Sequence, residues 1–587
     1  MIPCVTREKG APGRLFMLWI ALFALIGAVV LLCLVPPVSR DALVHHLNLP
    51  KRYLEHGGIY EMPGLSFSYF PMNLDLLYII PLGFGNDIAP KFIHFAFALA
   101  TAGLIHGYLK PRVGKSYALI GALFFLSLPI IVKLSITVYV DLGLVFFSTA
   151  ALLLLFRWME TGFGFGSLTG SAVCCGLAMG TKYNGLVVCC LLTLIVPWIY
   201  AVHGQDRRNR RHRLWKSVGF GVLYLAVAAS VFSPWMIRNW IWKGNPVYPL
   251  YNSVFNPPET VAANPGPKRK PGAFRRIFTH RSAMYQESEG QVLLLPVRIF
   301  FQGKDGSGQY FDGRLNPFLL MFTVLAFVGM SGKGRPSGRS DSSEAMGSSD
   351  SRGGEKETWI SGQKKILLAF SVLYFLAAVF STVLRIRYLV PMVPPLVILS
   401  VFGMKNSMDF LERTFVESRR LVPVIAGAAL TVCFGLNAQY VLTQFRVVDP
   451  LSYLSGEVDR DAYITRYRPE YPVMQYANHH LPADARILFV FMGKRGYYLD
   501  RPYQLDGEGA ASLLMKVAGE SETPGAMLER LRAMGITHIM LQSDIFNRWV
   551  IEDWPKEKRL LLEGFLRSRT TLVHSHHRYG LLALAAP

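Results

Sequence analysis

The sequence predicts a polytopic α-helical membrane protein with about eleven transmembrane helices and a small α/β domain on the outer side of the membrane. Three observations carry that prediction. Apolar residues make up 51% of the 587 positions, and the mean hydropathy is +0.30. They gather in runs of about 15–21 residues, near the length needed to cross a bilayer, and short basic loops join the runs. After residue 440 the pattern changes, and short strand-like apolar runs alternate with helical periodicity.

Taken in order, the runs are Leu15–Val35, Phe92–Leu109, Tyr117–Ile131, Val138–Trp158, Leu168–Gly180, Leu186–Ala201, Ser217–Met236, Pro317–Met330, Ile366–Leu384, Tyr388–Gly403 and Leu421–Tyr440. The first is too long for the apolar region of a signal peptide, and VPPVSRDA after it lacks a small-residue cleavage site, so it is read as a retained helix. The fifth and eighth are short enough to be tilted or partly re-entrant. Arg7, Lys9 and Arg14 precede the first run, and Lys110, Arg112 and Lys115 follow the second. The sixth is followed by HGQDRRNRRHRLWK, and Lys405, Arg413, Arg419 and Arg420 lie between the tenth and eleventh. All fall on one side of the membrane if the N-terminus is cytoplasmic. The C-terminus is then extracytoplasmic, and the expected location is the cell inner (plasma) membrane.

This charge pattern also disposes of another reading. A net charge of +22 is compatible with nucleic-acid binding, but here the positive residues occupy the loops where membrane topology requires them, so no nucleic-acid partner is expected. Of the seven cysteines, six lie in apolar runs and one in the N-terminal tail. None falls in a segment assigned outside, so no disulfide framework is implied. The adjacent pairs Cys174/Cys175 and Cys189/Cys190 lack zinc-ligand spacing and read as packing.

The expected organisation is a transmembrane catalytic domain over 1–440 and an extracytoplasmic α/β domain over 441–587. The first contains outer segments at about 36–91 and 237–316 and a cytoplasmic Ser/Gly-rich linker at about 331–362, expected to be disordered. In the second, ARILFVFM (485–492) reads as a buried strand, GAMLERLRAMG (525–535) as an amphipathic helix ending at a glycine, and THIMLQ (537–542) as another strand. No catalytic motif is evident there.

Ionisable residues beside apolar spans are costly and therefore functional candidates. On this topology several reach one level at the outer surface: Asp41 past the first span, Asp141 at the start of the fourth, and Lys182 between the fifth and sixth. Arg238 lies at the outer end of the seventh, and Arg385 and Arg387 between the ninth and tenth. Carboxylates and cations together suit a lipid phosphate. Lys and Arg hold its oxygens, Arg in a bidentate fork, while a carboxylate takes the proton of an attacking hydroxyl. Cations also stabilise charge developing on a departing phosphate. Each residue has a plainer use as well. Asp41 and Asp141 suit helix N-caps, Lys182, Arg385 and Arg387 could snorkel to headgroups, and Arg238 in WMIRNWIW fits an aromatic belt. If 41–53 is helical, His45 shares a face with Asp41, so His45 and His46 are candidates for orienting it or for contacting phosphate. The alternative is an interfacial helix whose histidines face water. The stretch LSFSYFPMNLDLLYIIPL (65–82) is expected to lie along the membrane and wall the site, and the basic segment 264–281 to meet anionic headgroups or an acidic acceptor.

The residues quoted, together with the order RDALVHHLNLPKRYL, YVDLG, GTKYNGL, RNWIWKGNPVYPLYN, RYLVPMVPPL and the tail GYYLDRPYQLD followed by GITHIML, resemble the GT-C membrane glycosyltransferases. The resemblance is to the glycosyltransferase family 39 type, which includes protein O-mannosyltransferases and lipid A aminoarabinose transferases. It covers most of the chain outside the linker, through the order and spacing of its motifs. It implies transfer of a hexosyl or pentosyl residue from a polyprenyl-monophosphate donor to a glycan, lipid or protein acceptor outside the cytoplasm, usually with inversion. Carried over by position, Asp41 would be the general base, with Asp141 as its catalytic companion. Lys182 and Arg387 would hold the donor phosphate, assisted by Arg238, with His45, His46 and Arg385 around them. The family often has a second acid directly beside the first-loop aspartate, whereas here the neighbours are Arg40 and Ala42. A divalent metal therefore remains open, with no ligand set assigned. The competing function is a transporter or flippase for a lipid-linked glycan. It predicts charges at the bilayer midplane and repeated halves, neither of which the sequence displays. A structural scaffold would not require Asp41, Asp141 and Lys182 at one level.

Overall fold

In the computed structural model, residues 12–204, 209–257, 273–328, 350–381, 383–414, 421–507 and 512–586 are described. The first ten helices that position the site are α1 (Pro12–Cys33), α2 (Asn48–His56), α3 (Asn73–Gly83), α4 (Ala89–Val113), α5 (Lys115–Ser127), α6 (Pro129–Ser135), α7 (Asp141–Glu160), α8 (Phe165–Thr181), α9 (Asn184–His203) and α10 (Arg210–Lys243). Among the described residues eight helices are long and apolar enough to span a membrane: α1, α4, α7, α9, α10, Trp359–Phe380, Ile386–Thr414 and Val424–Val448. The pair α5 and α6, bent by 63°, makes a ninth if counted as one span. Two of the eleven expected spans, α8 and Pro317–Leu325, are helical but too short to qualify. The expected linker lies outside the described residues as far as 349, and from Asp350 the chain is helical to Ser381.

The bend between α5 and α6 has a local cause. Pro129 opens α6, and its ring disfavours helical geometry at the residue before it. Leu128 is accordingly extended, at φ −56° and ψ 133°. Burial then sorts the spans. In their most apolar windows the span Ile386–Thr414 is 89% buried and α7 72%, whereas α1 is 17% buried, so the first two form the bundle's interior and α1 turns most of its surface outward. Helix α7 packs on α4 and α8, and α8 on α10. The last contact depends on Gly176, where an added Cβ would come 2.7 Å from the Ala228 carbonyl oxygen.

Between α1 and α4 the chain carries a π-helical turn and the short helices α2 and α3. The expected helix over 41–53 is interrupted. Ala42–His46 forms a π-helical turn, closed by the Leu47 N–H donating to the Ala42 carbonyl (2.9 Å), before α2 begins. The wider turn matters because residues four and five beyond Asp41 both reach its side, and His45 and His46 line one cavity with it.

The C-terminal domain contains a five-stranded sheet of β1 (Ile487–Val490), β2 (Tyr503–Leu505), β3 (His538–Gln542), β4 (Thr570–His576) and β5 (Tyr579–Leu584) in the order β2-β1-β3-β5-β4. Strand β1 pairs in parallel with β2 and β3, and the β4–β5 hairpin joins β3 in antiparallel register. Both predicted strands and the predicted helix, found at Pro524–Ala533, are present. The unbroken apolar run of β1 is explained by helices on both faces: Leu488 and Val490 enter one core cluster, Ile487 and Phe489 the other.

Candidate active site

The ends of the spans on the side of the C-terminal domain enclose a cavity of about 570 Å³. Asp41, Lys182, Arg385 and Arg387 line it, with His45 and His46 from the π-turn. Asp141 opens α7 behind the wall residue Val140. Four sequence-distant segments thus reach one place.

The charges are paired. Asp41 Oδ2 lies 2.5 Å from Arg387 Nη1. Asp41 occupies the N-cap position of the π-turn, yet its side chain makes no capping bond. Burial alone would raise the Asp41 carboxyl, but the Arg387 guanidinium holds it well below the usual carboxylate range. Lys182 Nζ donates to Asp141 Oδ1 at 2.6 Å, and the Asp141 side chain is only 1% exposed. Asp141 sits in the first turn of α7, where the helix dipole favours a negative charge. Its other oxygen, Oδ2, is buried with no hydrogen-bond partner. Aromatic rings frame the cations. The Arg387 guanidinium lies 5.3 Å from the Tyr139 ring and 5.1 Å from that of Tyr388, and Lys182 Nζ is 5.2 Å from Tyr388.

Arg385 lines the cavity and lies 3.7 Å from Asp312 Oδ2, which ties it to the second outer segment. Arg238, expected to assist in holding a donor phosphate, is not among the lining residues. Its Nη2 donates to the Phe70 carbonyl (3.1 Å) and to Asn239 Oδ1 (2.9 Å), and its plane sits against Trp235 and Trp242. It therefore buttresses the wall of which Phe67, Phe70 and Met72 form the cavity face. Of the basic segment 264–281, residues up to 272 lie outside the described residues, and helix Ala273–Tyr285 follows.

Three features escaped sequence reasoning. The first is Asp75, at the start of α3, whose Oδ1 is 2.7 Å from His46 Nδ1 with both side chains 7% exposed. Burial raises the Asp75 carboxyl to about 7 and lowers the His46 imidazole to about 3. The His45 ring lies 3.9 Å from that of His46, tilted by 45°, and stacks on Phe67 at 4.2 Å, and burial drives its basicity well below the usual histidine value. The second is His94 on α4. Its Nδ1 is 2.9 Å from the Leu134 carbonyl, and its Nε2 accepts from the Leu142 N–H (2.9 Å), fixing the first turn of α7 and with it Asp141. An acid or histidine in an apolar run was the available signal for both.

The third is the part played by the C-terminal domain, whose GYYLDRPYQLD stretch the motif order included without indicating that it meets the segment of Asp41. The domain's 491–502 loop, between β1 and β2, grips the segment that carries Asp41. The Tyr497 N–H donates to the Leu43 carbonyl (3.3 Å), and Tyr498 OH to that of Pro37 (2.8 Å). Lys51 Nζ reaches the Tyr497 carbonyl (2.9 Å) and Asp500 (2.6 Å). Gly493 and Lys494 complete the cavity lining. Among the described residues no three His, Cys, Asp or Glu side chains converge in a metal-holding arrangement.

Residues 78–238 match the family model for dolichyl-phosphate-mannose-protein mannosyltransferase. No curated protein matches the chain significantly in sequence. Among solved structures it is similar to ArnT from Cupriavidus metallidurans in the apo state, at 14% identity and TM-score 0.54, covering 99% of this chain and 100% of that one. The same protein bound to undecaprenyl phosphate aligns at 15% identity and TM-score 0.51, covering 98% and 100%. The Archaeoglobus fulgidus oligosaccharyltransferase tethered with an acceptor peptide aligns at 10% identity and TM-score 0.52, covering 97% of this chain and 74% of that one. The fold is therefore that of the GT-C membrane glycosyltransferases, as the sequence motifs led one to expect.

Proposed function

We propose, from that GT-C fold, that the protein transfers a sugar from a polyprenyl-monophosphate donor to a hydroxyl-bearing acceptor on the extracytoplasmic face of the membrane. One observation carries the reading: two carboxylate–cation pairs, Asp41–Arg387 and Asp141–Lys182, meet at a single outer cavity. The undecaprenyl phosphate in the ArnT structure supports the donor class. The N-terminus is assigned to the cytoplasm and the outer domain to the far side of the plasma membrane.

In the scheme the donor phosphate takes Arg387 in exchange for Asp41 and adds itself to Lys182, which stays paired with Asp141. Release from the guanidinium makes Asp41 a stronger base at the moment the donor is in place. The acceptor oxygen then attacks the anomeric carbon from the side opposite the phosphate. The new C–O bond forms as the bond from that carbon to the phosphate oxygen breaks, the hydroxyl proton passes to Asp41, and the bonding electrons leave with the polyprenyl phosphate. The two cations stabilise the charge gathering on it in a partly dry site, where such contacts are strongest. The configuration inverts. His94 holds the first turn of α7 and so keeps Asp141 beside Lys182.

The test is turnover by purified protein in lipid vesicles with a panel of polyprenyl-phosphate sugars, compared with Asp41→Asn. Turnover by the wild type and its loss in a folded Asp41→Asn protein is the expected result. Equal turnover by both removes Asp41 as base. Absence of turnover with every donor, combined with movement of a lipid-linked glycan across the vesicle, favours a flippase instead.

A further inference from the structure

One buried pair at the cavity has no part in that scheme. Asp75 enters from α3 and His46 from the π-turn, and both line the cavity with Asp41. Their hydrogen bond is 2.7 Å long. A histidine whose Nδ1 is engaged by a carboxyl group has only Nε2 left for exchange with solvent or substrate. The ring is also held sideways, packed at a 45° tilt against His45, which is itself stacked on Phe67, and lies 5.5 Å from the Tyr139 ring. Such a neutral imidazole can pass a proton on by changing tautomer, without acquiring charge in a buried place.

We propose that His46 and Asp75 form a proton relay that returns Asp41 to its carboxylate form after each transfer. The inference rests on the transferase reading. The proton taken by Asp41 passes through cavity water to His46 Nε2, and the proton on Nδ1 moves to Asp75 Oδ1. Asp75 ends protonated and His46 ends neutral with its proton on Nε2. The reverse exchange with water restores both, so no proton is gained or lost over the cycle. Burial favours this course, since it raises the Asp75 carboxyl to about 7 and depresses the imidazole to about 3, which makes the carboxylate the better resting place for the proton. The charged and titratable groups around the pair are Asp41, His45, Tyr53, Tyr78, His94, Tyr139, Asp141, Lys182 and Arg387.

Two measurements test the relay. In the first, kcat is followed against pH at saturating donor. Asp75 must be ionised to receive a proton, so wild-type kcat rises through about pH 7. Asp75→Asn is expected to lower kcat about 100-fold, to leave the donor KM unchanged and to abolish that rise. His46→Ala is expected to fall similarly and to regain activity with added imidazole, which a merely structural role would not allow. In the second, infrared difference spectra of the substrate-free protein are expected to contain a protonated-carboxyl band that fades as pH rises through the same range and is missing from Asp75→Asn. An active wild type whose pH profile survives Asp75→Asn overturns the relay alone, as does a titrating carboxyl band unchanged by that substitution. A wild type inactive with every donor overturns the transferase reading, and the relay with it.

Discussion

If donor phosphate displaces Asp41 from Arg387, removing the carboxylate's charge makes the phosphate bind more tightly while turnover is lost. The perturbation is Asp41→Asn, which keeps the side chain's size. Two unit charges about 4 Å apart interact by about 4 kcal/mol at an effective dielectric of 20 and about 1 kcal/mol in water. The Asp41 side chain is 24% exposed and that of Arg387 14%, which places the pair between those limits and toward the lower one once solvent screening is included. A gain of about 1–2 kcal/mol corresponds to about 5–30-fold tighter binding. Loss of the base is expected to cost at least about 100-fold in turnover. The assay is titration of purified protein with a short-chain polyprenyl phosphate, alongside turnover in vesicles. Weaker or unchanged phosphate binding by a folded Asp41→Asn protein refutes the exchange of partners, and wild-type turnover refutes the base.

The second pair behaves differently because Asp141 is fully buried. Lys182→Met strands its carboxylate and is expected to cost about 3–5 kcal/mol of stability. Thermal unfolding in detergent should register that loss, and Lys182→Met with Asp141→Asn should recover most of it without restoring donor binding. His94→Phe breaks the bond that fixes the first turn of α7. A displacement of about 1 Å there is enough to lower kcat about 100-fold, and equal kcat in the folded variant would show that His94 only packs. Tyr497→Ala removes a buried ring from the cluster it shares with Ala42 and Leu43, at an expected cost of about 3–5 kcal/mol, and should make the outer domain easier to release by limited proteolysis. In the second outer segment, burial alone would raise Glu287, but its bonds to Arg281 and Arg298 lower it to about 2. A depressed folded-state value contributes stability that is present above the unfolded value and lost as pH falls through the folded one. Acid unfolding between about pH 4.5 and 2 should therefore be blunted in Glu287→Gln.

The sequence by itself determined the membrane class, the approximate place of the apolar helices, two of the five strands and one helix of the C-terminal domain, and that Asp41, Asp141, Lys182 and Arg387 reach one level. These are local properties, since hydropathy and loop charge are read within a window of about twenty residues. The same rule, a costly charge in an apolar run, would have found Asp75 in FPMNLDLLYII and His94 in KFIHFAF had it been applied to residues inside the runs as well as at their ends. The span count was less secure, because α8 and Pro317–Leu325 are apolar enough but short, and length alone does not decide a crossing. Only the tertiary structure decided which opposite charges are partners, that Arg238 stands behind the cavity wall, and that a loop of the outer domain closes the site. Asp41 meets Arg387, and Leu43 meets Tyr497, across most of the chain's length. Contacts at that separation depend on how helices stack and where α5 breaks into α6, and no pattern within one segment encodes them.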